Sequence, residues 1–157
     1  MKALTIQKPW ASPIVMGVKD VENRSTHIRH RGRVLVHQGR RIDELAVNNP
    51  AVMAMCERTW GGALHTTDDY LGCLIGSVEL YDVQPANELD LEWANPHQGW
   101  AWLLRAPRVF TKPQWVRGWP GLFEIRADEL DIGEALHPAD YIKRLQRPDH
   151  VPEHMAD

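Results

Sequence analysis

Short apolar segments, separated by turn residues, recur along the chain, and most of them are too short to form helices. Apolar or alternating runs of about four to eight residues between glycine and proline are typical of β-strands. The order of these segments predicts a strand, a short helix, two strands, a longer helix and then three strands. The predicted strands are 3–6, 20–25, 33–37, 72–83, 100–104 and 121–126, and the predicted helices are 10–16 and 44–58.

Several single residues mark where these elements begin, end or bend. Gly17 follows the first helix and is placed to close it in the left-handed conformation. Asp43 can cap the second helix, which Pro50 interrupts or restarts. Gly76 lies inside the most apolar strand and predicts a bulge or bend. Segments 60–70, 85–95 and 105–120 are predicted loops, and 128–146 is predicted to be helical at both ends, before a loose tail.

Length and composition favour one globular domain. Of the 157 residues, 43% are hydrophobic and 25% are charged, which is enough for one core. No apolar run approaches the about 20 residues that cross a bilayer, so we expect a soluble, cytoplasmic protein that contacts no membrane. Neither Cys56 and Cys73 nor the eight histidines show metal-ligand spacing. We therefore predict no metal, no cofactor and no disulfide.

The net charge of −3 conceals an uneven distribution. Residues 24–42 contain six arginines and residues 93–123 contain four basic residues, and neither stretch contains an acid. A basic face over an acidic body suits a ligand that carries phosphates, although arginines that merely solubilise the surface explain the same pattern. The arginines expected to contact a nucleic-acid backbone are Arg29, Arg31, Arg33, Arg105 and Arg108.

Residues 17–25 carry the clearest candidate chemistry. Glu22 and Arg24 share one face of a predicted strand because alternate side chains point the same way, and Lys19 precedes them. Two effects compete at Lys19: carboxylates nearby keep it charged, whereas burial lowers its pKa and makes it a base or nucleophile. The sequence leaves both open, together with a simple surface ion pair between Lys19 and Glu22.

Four motifs in a fixed order make the chain resemble the ASCH domain, a small β-barrel family related to the PUA fold. They are Gln-Lys-Pro-Trp-Ala at 7–11, Gly-x-Lys-x-x-Glu-x-Arg at 17–24, Gly-Arg-x-x-x-His at 32–37 and Gly-x-x-Gly-x-x-Glu at 118–124. The resemblance implies an α+β fold, with a small bent β-barrel and flanking short helices over 1–127. Residues 128–157 would form a C-terminal helical extension and tail, packed on or trailing the same domain.

The resemblance also implies a polar cavity that binds RNA or a modified nucleoside or nucleotide. By analogy with the family, Lys19, Glu22, Arg24 and Glu79 would line this cavity. A glutamate would accept from an exocyclic amino group, amide side chains would contact an amide-like edge, and a tryptophan would stack on the base. The expected ligand-binding residues are Gln7, Lys8, Pro9, Trp10, Asn23, Arg24, His37 and Trp102.

Two of these residues have an equally simple structural explanation. Trp102 lies on an alternating strand, where a tryptophan is more often part of the core than a stacking platform. His37 is either a base contact or proton shuttle, or a histidine hydrogen-bonded to backbone at the end of a strand. The sequence does not decide between these alternatives.

A metal-independent hydrolase that uses the same cavity is the alternative function. Some family members resemble amidohydrolases on N4-acylated cytidine, which use a lysine, a threonine three positions later and a glutamate on a following strand. These positions correspond to Lys19, Glu22 and Glu79, the candidate catalytic residues. Glu22 departs from the pattern, since a carboxylate would act as a base or acceptor there, not as the nucleophile. A ribonuclease, or a domain that binds a protein partner, also stays open.

Overall fold

The computed structural model describes residues 1–59 and 70–147. Nearly all of the predicted loop 60–70, and the tail after 147, lie outside these described residues. The elements confirm the α+β class. The strands are β1 (Lys2–Lys8), β2 (Val21–Arg24), β3 (Gly32–Ile42), β4 (Cys73–Pro85), β5 (Trp100–Trp115), β6 (Leu122–Glu124) and β7 (Ala135–Leu136), and the helices are α1 (Ala11–Val15), α2 (Glu44–Val47), α3 (Pro50–Thr59) and α4 (Pro138–Leu145).

The strands form one sheet that is open, so the predicted barrel is wrong in this respect. Their order is β2-β5-β4-β3-β1-β6, with β7 paired to β5. Within the described residues no backbone ladder joins β2 to β6, and these strands have only four and three residues. Strands this short offer few N–H and C=O groups for closure. A side chain bridges β2 to β1 instead, because Arg24 Nη2 donates to the Thr5 carbonyl oxygen at 2.7 Å.

Strand β5 continues far beyond the predicted end at residue 104. It passes through Pro107 and Pro113, which the sequence analysis assigned to a loop. Near Pro107 the register between β4 and β5 shifts, and Ala106 adopts a φ of 48°. A proline is tolerated where a ladder is interrupted, because no N–H is required there. The strand therefore carries Trp115 to the same end of the sheet as the middle of β3.

Gly76 confirms the predicted irregularity in β4. The register of β4 shifts beside it in both ladders, with β3 between Val36 and His37 and with β5 between Leu74 and Gly76. A Cβ built on Gly76 would lie 2.2 Å from the Arg108 carbonyl oxygen and 2.7 Å from Val15 Cγ1. Only glycine lets α1 lie this close to the strands. This contact fixes the helix that leads into Lys19.

The predicted helix signals are also confirmed. Gly17 has a φ of 75° and follows α1. The Asp43 side chain accepts from the Ala46 N–H at 3.1 Å, and Pro50 begins α3 after α2 has ended. The largest apolar cluster packs α1 against the sheet and includes Trp102. No helix among the described residues is long and apolar enough to span a membrane.

Candidate functional site

A cleft of about 1230 Å³ lies where the sheet stays open, with β1 on one side and β2 on the other. Its further walls come from β3, the start of α3 and the segments 92–98 and 115–121. Because no ladder closes the sheet here, side chains form the floor of the cleft. The side chains that line the cleft include Thr5, Gln7, Trp10, Lys19, Glu22, Asn23, Arg24, His37, Arg40, Arg41, Trp93, Trp115, Arg117 and Trp119.

The floor of the cleft is an ionic cluster of Lys19, Glu22 and Arg24. Lys19 Nζ lies 3.6 Å from Glu22 Oε2, and Arg24 Nε lies 3.2 Å from Glu22 Oε1. The Lys19 side chain is only 3% exposed and also donates to the Val21 carbonyl. Burial lowers the pKa of Lys19, and Glu22 acts in the opposite direction. Both effects considered for Lys19 therefore operate, and burial is the larger.

Arg24 leaves part of its donor capacity unused. Its Nη2 donates to Thr5, but its buried Nε has no hydrogen-bond partner among the described residues, despite the nearby Glu22 carboxylate. A buried N–H without an acceptor costs about 1–3 kcal/mol. The cluster thus presents one carboxylate between two cations, with hydrogen bonds still to be made.

Two tryptophans form one wall of the cleft. The rings of Trp10 and Trp93 meet edge to face, with centroids 6.3 Å apart. Lys19 Nζ lies 5.1 Å from the centroid of the Trp10 ring, and Trp10 Nε1 donates to Asp43 Oδ2 at 3.0 Å. These contacts hold Trp10 beside the ionic floor, where its ring lines the cleft.

Asn23 holds the Trp93 side of this wall in place. Its Nδ2 donates to the Trp93 carbonyl at 2.8 Å, and its Oδ1 accepts from the Asn95 N–H at 2.7 Å. Both ends of the amide are therefore engaged with the segment that carries Trp93. Asn23 lines the cleft, but its amide positions this wall and is already hydrogen-bonded.

His37 connects β3 to the opposite wall. Its Nε2 lies 3.1 Å from the Val116 carbonyl, and its Nδ1 lies 3.1 Å from Thr5 Oγ1. A carbonyl only accepts, so Nε2 carries the ring proton and Nδ1 is the acceptor. Burial lowers the pKa of His37, which favours the neutral ring. These bonds agree with the structural explanation of His37, although the ring does line the cleft.

Glu79 does not lie in the cleft, which corrects the prediction that it shares a cavity with Lys19. Register places it between Arg33 and Arg105. Arg105 donates to both carboxylate oxygens, from Nε at 3.0 Å and from Nη2 at 2.9 Å, and this hydrogen bonding lowers the pKa of Glu79. The lysine–glutamate pair of the amidohydrolase hypothesis is therefore not assembled.

Three other predicted ligand contacts also lie elsewhere. Trp102 is 2% exposed within the core, and its Nε1 donates to the Thr26 carbonyl at 3.0 Å. Lys8 and Pro9 line a separate small cavity next to α1 and α3. The ring of Trp102 lies beneath the cleft floor, because Trp102 is opposite Glu22 in the β2–β5 ladder and Arg24 Cζ lies 5.5 Å from the ring centroid. There it packs in the apolar cluster that includes α1.

The predicted backbone-binding arginines do not line the cleft, and most already contact other protein groups. Arg33 donates to the Ala106 carbonyl at 2.6 Å, and Arg31 lies 3.5 Å from Asp82. Pairing with an acid reduces the attraction of such a surface for phosphate. The five residues outside the cleft are Arg29, Arg31, Arg33, Arg105 and Arg108.

The basic and aromatic residues of the opposite wall were not among the site residues predicted from the sequence. Trp115, Arg117 and Trp119 fall in a proline-rich stretch that the sequence predicts to be a loop, and only its basic charge pointed to a ligand. Two tryptophans and an arginine within five residues of a turn-rich segment were the available signal, because core tryptophans usually lie on strands or helices. Arg40 and Arg41 belong to the basic stretch 24–42 that was predicted to suit phosphates, but neither was named as a candidate site residue.

Comparison with known proteins places this geometry in a family context. The family model of the ASCH domain matches residues 4–114. Activating signal cointegrator 1 of Mus musculus is 37% identical over 81 residues, which is 50% of this chain and 14% of that protein. The Homo sapiens protein of the same name is 33% identical over 84 residues, with the same coverage of 50% and 14%. The chain therefore matches only a small part of these curated relatives.

Proposed function

The chain belongs to the ASCH domain family, and from this premise we propose that it binds single-stranded RNA, with one nucleotide seated in the cleft. The observation that carries the proposal is the buried cluster of Lys19, Glu22 and Arg24 on the floor of a cleft walled by Trp10 and Trp93. Buried charges at the base of an open cleft are costly for folding alone. Such clusters occur preferentially where a polar ligand binds.

The cluster suits a nucleobase that carries an exocyclic amino group. Glu22 is an acceptor for that group, while Lys19 and Arg24 are donors for the ring nitrogen or carbonyl beside it. Cytosine and adenine present such a pair, whereas uracil has no amino group. Trp10 provides an aromatic face at the same depth, and stacking of a base on it is independent of sequence.

The charge of the cleft suits the phosphates of the same ligand. Among the described residues that line it, five side chains are lysine or arginine and three are acidic. The acids already have partners: Glu22 pairs with the cluster, Asp43 accepts from Trp10, and Glu92 lies 4.0 Å from Arg58. The excess of basic over acidic side chains in this lining attracts an anionic strand.

Binding of labelled RNA tests the proposal. We expect oligo-C and oligo-A of about eight nucleotides to bind at least about tenfold more tightly than oligo-U, because only the former offer Glu22 an amino group. Replacing Lys19 with methionine should weaken oligo-C binding by about tenfold or more, since a charge-assisted hydrogen bond is lost. Fluorescence anisotropy at about 50 mM salt measures both effects.

Lys143→Met is the matched control, because Lys143 lies on α4 with a side chain 75% exposed and does not line the cleft. It should bind oligo-C like the unaltered protein. Equal affinity for oligo-U and oligo-C, unchanged by Lys19→Met, would show that the cleft floor is not part of the RNA-binding site. An unaltered protein that binds no RNA would refute the proposed function.

A hydrolase using the same cleft is the second candidate, and the lowered pKa of Lys19 is the observation in its favour. A neutral amine next to Glu22 would serve as a general base. The same preparations therefore are incubated with N4-acetylcytidine and with the oligonucleotides, and products are separated by chromatography. Product that is formed by the unaltered protein and abolished in Lys19→Met would establish catalysis.

A further inference from the structure

A second group of aromatic and basic side chains lies at the mouth of the cleft, away from the ionic floor. Trp115 and Trp119 are 61% and 51% exposed, which is unusual for residues of this size. Each has an arginine over its ring: Arg40 Cζ lies 6.0 Å from the centroid of Trp115, and Arg117 Cζ lies 4.5 Å from that of Trp119. We call these four residues the tryptophan rim.

The rim is held by hydrogen bonds to the sheet. The Val116 N–H donates to the Gly72 carbonyl at 3.1 Å, and the Val116 carbonyl accepts from His37. The Thr5 hydroxyl lies 3.2 Å from the Trp119 carbonyl and shares its one proton between this oxygen and His37 Nδ1. Gly72 has a φ of 83°, and a Cβ there would lie 3.1 Å from Trp115 Nε1 and 3.3 Å from Arg40 Nε. The backbone that carries both rings is therefore held in place, and the Trp115 ring in addition lies close to Gly72.

The charges of the rim are free for a ligand. Neither Arg40 nor Arg117 forms an ion pair with any described residue, and the same holds for the neighbouring Arg41. In contrast, the exposed Tyr81 on the sheet lies beneath Arg105, whose charge is neutralised by Glu79. An exposed ring with an unpaired arginine is the combination that binds a base and its phosphate together.

Resting on the proposed function, we propose that the tryptophan rim is a second nucleotide subsite. It stacks one or two bases that flank the nucleotide on the cleft floor, while Arg40 and Arg117 contact their phosphates. The ligand is consequently a single-stranded RNA several nucleotides long, and a free nucleoside fills only part of the site. A duplex is excluded as a rim ligand because its bases already stack on one another.

Truncation of both rings separates the two subsites. In Trp115→Ala/Trp119→Ala we expect the affinity for eight-nucleotide oligo-C to fall by at least about tenfold, because each stacked base contributes substantially to binding. Affinity for cytidine monophosphate should be unchanged, since it occupies the floor. Trp115→Phe/Trp119→Phe should retain most of the oligo-C affinity. Anisotropy measures the oligonucleotide and calorimetry the mononucleotide.

Tyr81→Ala is the matched control, because Tyr81 is also an exposed ring beneath an arginine but lies outside the cleft. Unchanged oligo-C affinity in the double alanine variant, or equal losses of affinity for both ligands, would overturn the proposal that the tryptophan rim is a second subsite. Neither result would contradict binding of a nucleotide on the cleft floor. Displacement of the RNA by polyglutamate that depends on the two tryptophans would instead indicate an acidic peptide and also overturn it. Failure of the unaltered protein to bind either ligand would overturn the proposed function itself.

Discussion

Replacing Gly76 with alanine is expected to lower the free energy of unfolding by about 3 kcal/mol. The added Cβ would lie 2.2 Å from the Arg108 carbonyl oxygen, and this neighbour is backbone within a paired strand. Relief requires α1 or β5 to move, because Val15 approaches the same position from the other side. Urea denaturation followed by circular dichroism measures the change.

Gly39→Ala in the neighbouring strand β3 is the control for this prediction. There the first neighbour of an added Cβ is the methyl group of Thr5 at 2.9 Å, and the nearest backbone atom is 3.6 Å away. We expect a loss of about 1 kcal/mol, since a side chain yields more easily than a strand. If Gly76→Ala proved no more destabilising than Gly39→Ala, the close approach of β5 and α1 to Gly76 would be incorrect.

The features that the sequence predicted correctly depend on a few adjacent residues. Gly17 adopts the left-handed conformation because only its own backbone and the end of α1 matter, and Asp43 caps α2 for the same reason. Glu22 and Arg24 share a face by simple alternation, and they do form an ion pair. The resemblance to the ASCH domain also rests on short local motifs, so the sequence alone was enough to identify the family.

The features that the sequence did not predict depend on the register between distant strands. Glu79 was predicted to line the cavity by analogy with the family. Its partner in β5 is Arg105, and no residue close to Glu79 in the sequence indicates this pairing. The tryptophan rim requires β5 to continue through two prolines until Trp115 lies opposite Cys73. Proline rules alone favour a loop there, because the interruption in the ladder that admits Pro107 is a tertiary feature.

Local sequence patterns likewise could not predict whether the sheet closes into a barrel. A bent sheet of short strands is compatible with an open or a closed arrangement, and the difference is whether β2 and β6 pair. In this chain the Arg24 side chain bridges the gap to β1, and the space left beside it becomes the cleft. The gap that keeps the sheet from closing into a barrel is therefore also the position of the candidate site.

Replacing Glu22 with glutamine is expected to destabilise the protein by about 3 kcal/mol at neutral pH, because it leaves the buried Lys19 ammonium without its carboxylate. Glutamine keeps the shape of the side chain, so the effect reports the charge. Arg24 is affected less, since it still donates to the Thr5 carbonyl. Thermal unfolding at several pH values measures the loss.

The pH dependence of Glu22→Gln distinguishes this cause from a packing defect. Removing the carboxylate lowers the pKa of Lys19 further below the unfolded value of 10.5. Between the two values the unfolded chain binds a proton that the folded chain does not, so the unfolding free energy must rise with pH. The variant should therefore recover stability from neutral pH towards pH 10.5, more steeply than the unaltered protein. The double variant Lys19→Met/Glu22→Gln should lack this additional increase of the unfolding free energy with pH. If the increase persists in the double variant, it comes from another titrating group and not from the buried ion pair.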